Sequence, residues 1–280
     1  MSRGVKQYRL NRLFHATSGR CFDVAVDHGM PGEPAMLTGI EDMAAAIDTL
    51  VDAAPDAIQL SVGQADLLQR HRGRDKPALV LRTDTPNIYA PEPPGEAWSF
   101  MIDDPVGHAV RLDAACVVVN LLDVPGQDAL RRDCLEAISH LRAECDRAAM
   151  PLMVEPLAFE PGEGGYAGSG DVDRICGLVR QAVELGADVI KADPTDDLSQ
   201  YHRVVRVARV PLLLRGGGRV SDEEILRRTH TVLEQGAAGI VYGRNVIQHE
   251  NPAAMTRALM SVVHEGATPE HALASLTAAA

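Results

Sequence analysis

The sequence predicts a single (β/α)8 TIM barrel preceded by a short N-terminal helix, and three observations carry that prediction. Eight short runs of Val, Ile, Leu and Ala alternate with amphipathic segments along the chain. The segments between runs are long enough for parallel crossovers. Nearly every run ends on a polar or charged residue, as expected where all strand ends converge on one face of a barrel. With 280 residues and 46% hydrophobic content, the chain can bury a core of that size as one domain, residues 1–20 forming a helical extension and 267–280 a tail. The rival is a doubly wound open sheet, but no GxGxxG follows the first run.

The elements follow in order. Leu10, Leu13 and Phe14 stand at helical spacing between Gln7 and Gly19. The first strand, Cys21 to Val26, runs into Asp27-His28-Gly29, then a Pro/Gly loop from Met30 to Gly39 and a helix from Glu41 to Ala53. Ala57 to Leu60 is the second strand, with a short helix from Gln64 to Arg70. Ala78 to Leu81 is the third, ending in Arg82-Thr83-Asp84 before a long proline-rich loop from Thr85 to Met101. A helix from Pro105 to Leu112 precedes the fourth strand, Ala115 to Val119, closed by Asn120. After a helix from Leu130 to Ala148, the fifth strand, Pro151 to Val154, ends at Glu155, and the segment Glu160 to Gly170 reads as a flexible linker or a lid. A helix from Val172 to Leu185, capped by Gly186, leads to the sixth strand and Lys191. Val210 to Leu214 runs into Arg215-Gly216-Gly217-Gly218, with a helix from Asp222 to Gln235. Ala238 to Tyr242 leads into Gly243-Arg244-Asn245-Val246, a helix from Pro252 to His264, and an alanine-rich tail.

Lys191 is the most informative residue. The chain uses arginine almost throughout and holds three lysines, Lys6, Lys76 and Lys191; Lys6 lies near the start and Lys76 in the polar run HRGRDK, and both read as solvated. A lysine after Asp188-Val189-Ile190 sits at the end of a buried strand, where desolvation favours the neutral amine, the form that attacks a carbonyl. The alternative is a plain ion pair with Asp27 or Glu155. The other strand ends add Gln59, Arg82, Asp84, Asn120, Arg215 and Arg244 on the same face. Glycine-rich turns after strands seven and eight, Gly216-Gly217-Gly218 and Gly243, suit a phosphate, with Arg215 or Arg244 adding charge-assisted hydrogen bonds. A phosphate site beside a buried lysine and two carboxylates points to Schiff-base chemistry on a phosphorylated ketone or aldehyde, Glu155 and Asp27 moving protons if burial raises the pKa of one of them. Gln59, Arg82, Asp84, Asn120 and the long loop are placed to meet the distal end of the substrate.

Composition excludes several classes. A formal charge of −12 argues against nucleic acid. No apolar run approaches the ~20 residues of a membrane span, and the start lacks a secretory segment, so the cytoplasm is the expected compartment. The five cysteines form no CxxC pair and the ten histidines no HExxH, so neither disulfides nor a metal centre is expected.

DHG after the first strand, the lysine after VI on the sixth, GGG after the seventh and GRNV after the eighth resemble the class I aldolases of the superfamily of archaeal-type fructose-bisphosphate, tagatose-bisphosphate and deoxyribose-phosphate aldolases. The resemblance implies Lys191 as the Schiff-base lysine, Asp27 as a carboxylate assisting proton transfer, Gly217, Gly218, Gly243 and Arg244 as the phosphate cradle, no metal or other cofactor, and a homo-oligomer. Two departures stand out. Where the archaeal-type branch commonly has a tyrosine followed by PRG, this chain has Glu155-Pro156-Leu157, which with LRTDTPNIY is similar to the tagatose-bisphosphate and sulfofructose-phosphate aldolases. Arg215 replaces a residue that is often small in the family. The expected activity is cleavage or formation of a phosphorylated ketose from dihydroxyacetone phosphate and an aldehyde. The alternatives are a transaldolase-like or acyl-transferring synthase, or a phosphosugar-sensing barrel without turnover.

Overall fold

The computed structural model describes residues 3–73, 75–89, 94–162 and 165–279. Residues 90–93 of the long proline-rich loop and 163–164 of the glycine-rich segment, to which the sequence reading also extended, lie outside them. The eight barrel strands are β1 (Cys21–Ala25), β2 (Ala57–Leu60), β3 (Ala78–Arg82), β4 (Cys116–Asp123), β5 (Leu152–Gly162), β6 (Val189–Ala192), β7 (Leu212–Arg215) and β8 (Gly239–Tyr242). All eight pair in parallel with their neighbours, and β8 pairs with β1, so the sheet closes. Helices on the outside start from side-chain caps that the sequence supplies: Asp42 for Met43–Ala53, Asp171 for Val172–Glu184, Ser221 for Asp222–Glu234 and Asn251 for Pro252–Met260.

The register places the interior side chains in layers. In an eight-stranded barrel each strand is staggered by about one residue against the next, and alternate strands fill alternate layers. Following the pairs Asp23↔Ala57↔Ala78, Val80↔Cys116, Met153↔Val189 and Leu213↔Gly239 around the barrel puts Asp23, Val80, Met153 and Leu213 on one level. The level above holds Gln59, Val118, Lys191 and Val241, and the next Ala25, Arg82, Glu155 and Arg215. Apart from Asp23, the interior is therefore apolar at its base, and it is charged at its C-terminal face. Lys191 marks the boundary.

Several elements differ from expectation. The N-terminal helix covers only Gln7–Leu10, though Leu10 and Leu13 do pack under the barrel floor as their spacing implies. Lys6, expected in solvent, is 2% exposed, and its ammonium pairs with Asp188 at 2.8 Å and Asp146 at 3.1 Å. Lys76 is partly buried and donates to Gln69. The proline-rich loop after β3 begins and ends as a two-stranded antiparallel ribbon, Asp84–Pro86 against Ser99–Met101. β4 and β5 continue well past Asn120 and Glu155, and β5 pairs antiparallel with Gly165–Gly168, in the segment read as a flexible linker or a lid. Tyr201–Ala208 is a helix not recognised in the sequence, although Tyr201, Val204 and Ala208 bury one face at helical spacing. The tail is a helix over Pro269–Ala278.

Lys6 ties the N-terminal segment to the floor of β6, and its removal leaves Asp188 and Asp146 with Arg142 as their one remaining cation among the described residues. Lys6→Ala is expected to lower the unfolding free energy by roughly 3 kcal/mol in urea titrations, at unchanged slope.

Candidate active site

Glu155 is the centre of the charged layer. Its carboxylate is 2% exposed and lies between three cations: Lys191 Nζ at 3.0 Å, Arg82 Nη2 at 2.5 Å and Arg215 Nε at 2.9 Å. Each comes from a different strand, and each points inward because strand residues alternate between faces. Lys191, 4% exposed, also donates to Gln59 Oε1 at 3.3 Å. Gln59 Nε2 donates to Asp27 Oδ2 at 2.7 Å, the oxygen that also accepts from Arg82 Nε at 2.7 Å. Arg82 Nη1 reaches Asp84 Oδ1 at 3.3 Å. Asp84 in turn accepts from the backbone and side-chain nitrogens of Asn120 at 3.1 and 3.0 Å. Arg215 Nη1 donates to Asp193 Oδ1 at 2.7 Å. One connected network therefore links residues on or just after all of the strands from β1 to β7.

The raised pKa on which proton transfer by Glu155 or Asp27 was made conditional is found at neither. Burial pushes Glu155 up, but Lys191, Arg82 and Arg215 outweigh it and hold the group far below the usual carboxylate range. Burial likewise works upward on Asp27, and Arg82 and Lys191 overcome it. Both carboxylates are thus held ionised. Arg82 and Arg215 are held protonated: burial opposes their charge, but Glu155 and Asp27 for Arg82, and Asp193 first for Arg215, outweigh it. Asp84 is raised by burial, with Arg82 opposing. His28 goes the other way: burial pushes it down to about 4 against the pull of Asp27, so the ring is neutral at neutral pH.

The cavity above this layer is lined by Asp27, His28, Arg82, Asp84, Asn120, Glu155, Lys191, Arg215, Gly216, Gly217, Gly243 and Arg244. Two of the residues expected there lie elsewhere. Gln59 is fully buried beneath, where it bridges Lys191 and Asp27, and Gly218 lines the adjoining wider cleft. Arg82 and Asn120 line the cavity, but their polar atoms hold Asp27, Asp84 and Glu155 instead of standing free for a distal substrate group. The glycine turn is braced from behind: Gly216, Gly217 and Gly218 carbonyls accept from Arg228, Arg244 and Asn245 respectively. Among the described residues the N–H groups of Gly217 and Gly218 have no backbone acceptor, which leaves them for an anion. Gly217 has φ +64°, a conformation glycine adopts without strain. Gly243 is required for space, since a Cβ there would lie 2.3 Å from His28 Cε1 and 2.7 Å from the Ala25 carbonyl oxygen.

Three lining or supporting residues escaped the sequence reading. Asp193 lies two places after Lys191 on the same face and accepts from Arg215. Tyr89, in the loop after β3, reaches the cavity and is pushed up to about 12 by burial. Asp23, two places before Ala25, points into the barrel beneath Lys191. Among the described residues, no group of three or more His, Cys, Asp or Glu side chains is arranged to hold a metal ion.

The family model of the DeoC/LacD aldolases matches residues 21–249, which span all eight barrel strands. The chain belongs to the DeoC/LacD aldolase family. This aldolase is 32% identical over 271 residues to an uncharacterized aldolase of Saccharolobus solfataricus, covering 95% of this chain and 97% of that one. It is 29% identical to the 2-amino-3,7-dideoxy-D-threo-hept-6-ulosonate synthase of Halobacterium salinarum, over 98% and 97% of the two chains. Among solved structures, it is similar to an archaeal fructose-1,6-bisphosphate aldolase whose catalytic lysine is covalently bound to the carbinolamine intermediate of its substrate. That match has a TM-score of 0.74 and 27% identity, over 93% of this chain and 99% of the other. The aldolase is thus an enzyme of the lyase class with the fold of the class I aldolases.

Two outcomes test the geometry. Gly243→Ala should weaken binding of inorganic phosphate about tenfold in calorimetry, because the methyl group meets backbone as well as the His28 ring. His28, with its folded pKa below the ordinary value of 6.5, contributes stability that is present above 6.5 and lost as pH falls towards about 4. His28→Asn should lose less stability than the wild type over that window, compared at matched pH in urea.

Proposed function

We propose that the protein is a metal-independent class I aldolase in which Lys191 forms an imine with a phosphorylated ketone, dihydroxyacetone phosphate, and the barrel makes or breaks its bond to an aldehyde. The observation that carries this reading is the buried Lys191 amine 3.0 Å from Glu155, beneath a cavity that is walled by the glycine turns after β7 and β8. Similarity to an aldolase with a lysine-bound carbinolamine supports it.

The reaction follows from the charges. Lys191 must shed a proton before it attacks, and Glu155 Oε2 is the acceptor in contact with it. At rest Glu155 is too acidic for that role, because three cations hold it ionised. Transfer of the proton removes one of those cations, so accepting it makes the carboxyl a better home for it. Nζ then bonds to the carbonyl carbon and gives up one of its protons to the carbonyl oxygen, Glu155 returns the first proton to the resulting carbinolamine hydroxyl, and water leaves as the iminium forms. In the cleavage direction Asp27, ionised and fixed by Gln59 and Arg82, takes the proton of the aldol hydroxyl. The aldehyde departs, and the electrons of the broken C–C bond pass into the iminium to give an enamine. Gly217, Gly218, Gly243 and Arg244 hold the phosphate.

A second reading keeps the imine and changes the outcome, to a transaldolase-like or acyl-transferring synthase. It draws on the Halobacterium salinarum synthase and on Arg215, which adds a cation beside the phosphate cradle. Product analysis separates the two. Assembly as a homo-oligomer is proposed on family resemblance.

The test is borohydride reduction in the presence of dihydroxyacetone phosphate, followed by peptide mapping. A stable adduct on Lys191, absent in Lys191→Ala and insensitive to chelator, is the expected result. Phosphate-dependent binding without any adduct would contradict the imine, and an adduct on Lys6 or Lys76 would contradict the site.

A further inference from the structure

The barrel interior holds one titratable group that the reaction above does not use. Asp23 stands on a level with Val80, Met153 and Leu213, immediately beneath the layer that contains Lys191. It is fully buried, and neither of its carboxyl oxygens has a hydrogen-bond partner among the described residues. A carboxyl without hydrogen bonds in an apolar layer costs stability, and valine would fill the same space without that cost. Packing therefore gives no reason for an acid at this place.

The groups that act on Asp23 are few. Lys191 on β6, Arg82 on β3, Glu155 on β5 and Asp27 after β1 lie above it, and the thiols of Cys21 on β1 and Cys116 on β4 also feel its charge. On the remaining strands the interior residues at and next to its level are uncharged, Ala57 and Gln59 on β2, Leu213 on β7 and Val241 on β8, and Arg215 stands two places above Leu213 at the end of β7, paired with Glu155 and Asp193. Burial raises Asp23 to about 7, with Lys191 as the main opposing influence and Asp27 adding to the rise. Its charge therefore changes near neutrality, inside a dry core where nothing screens it from the lysine.

We propose that Asp23 is a positioning residue for Lys191, a carboxyl beneath the lysine whose protonation sets how firmly the amine above is held as ammonium. With Asp23 neutral, Lys191 faces only the carboxylates at the mouth, which are shared with Arg82 and Arg215. With Asp23 ionised, an unshared negative charge is added from below, favouring the ammonium and, after imine formation, the iminium. Ammonium and iminium gain alike, so the step that Asp23 governs is the interval in which the nitrogen is neutral.

The inference rests on the imine reading, but its test does not need substrate. The chain has three lysines, so protein labelled with carbon-13 at lysine Cε gives three side-chain signals, and Lys191→Met identifies the one from Lys191. In Asp23→Asn and Asp23→Val the pH midpoint of that signal should move down by about one unit or more, and the pH dependence of imine trapping should move with it. Superimposable Lys191 titrations in the wild type and both variants would overturn the proposal, even if turnover fell. Asp23→Val removes an unsatisfied buried acid in a layer that already contains valine, so a folded variant is available if the amide is not tolerated. An absent adduct together with a shifted titration would sink the imine reading and leave the coupling of Asp23 to Lys191 standing.

Discussion

The site depends on one carboxylate surrounded by cations in a place with almost no water. Glu155 alone at that depth would take up a proton, and Lys191, Arg82 and Arg215 alone would repel one another. Each makes the others tolerable, so they behave as a unit. Removing any one changes the charge balance for the rest, and single substitutions will not add. In the proposed mechanism the same interdependence would supply the chemistry, since a proton leaving Lys191 would alter the acid that receives it.

Much of this was legible in the sequence, because a parallel barrel converts order along the chain into position in space. Once eight strands are counted, the residue after each one has an address, and Lys191, Glu155, Asp27, Arg82, Arg215 and Arg244 all line the cavity that the addresses imply. What the sequence does not display is which residue touches which. Arg82 and Asn120 stand at the mouth as expected, but their donors are taken by neighbouring carboxylates, a matter of side-chain reach and not of strand order. The direction of the carboxylate shifts went astray for the same reason: burial alone raises them, and the count of nearby cations reverses the sign. Lys6 was misjudged because its place near the start suggested solvent, while its partners Asp146 and Asp188 come from distant segments. Asp23 and Asp193 did carry a signal, since each lies at even spacing from an inward-facing residue, Asp23 from Ala25 and Asp193 from Lys191.

The two ends of the barrel divide the work. The C-terminal face is charged, and β4, β5 and the Asp84–Pro86 ribbon extend beyond the barrel to wall it. The opposite end is closed by Leu10 and Leu13, with Lys6 pinned to the start of β6. A core that carries ionised groups in its upper layers has fewer apolar contacts there. The sealed floor offsets part of that loss and keeps water from reaching the charged layers from below.

The scarcity of lysine has a further consequence for a protein that handles reactive carbonyls. Aldehydes condense with any accessible primary amine, and an ordinary protein surface offers many. Here Lys6 is buried in an ion pair and Lys76 is partly covered and donating to Gln69, while the surface takes its positive charge from arginine, which does not form imines readily. Among the described residues the lysine amines outside the cavity are thereby reduced to a buried Lys6 and a partly covered Lys76, so a simple aldehyde or ketone finds little competing amine there.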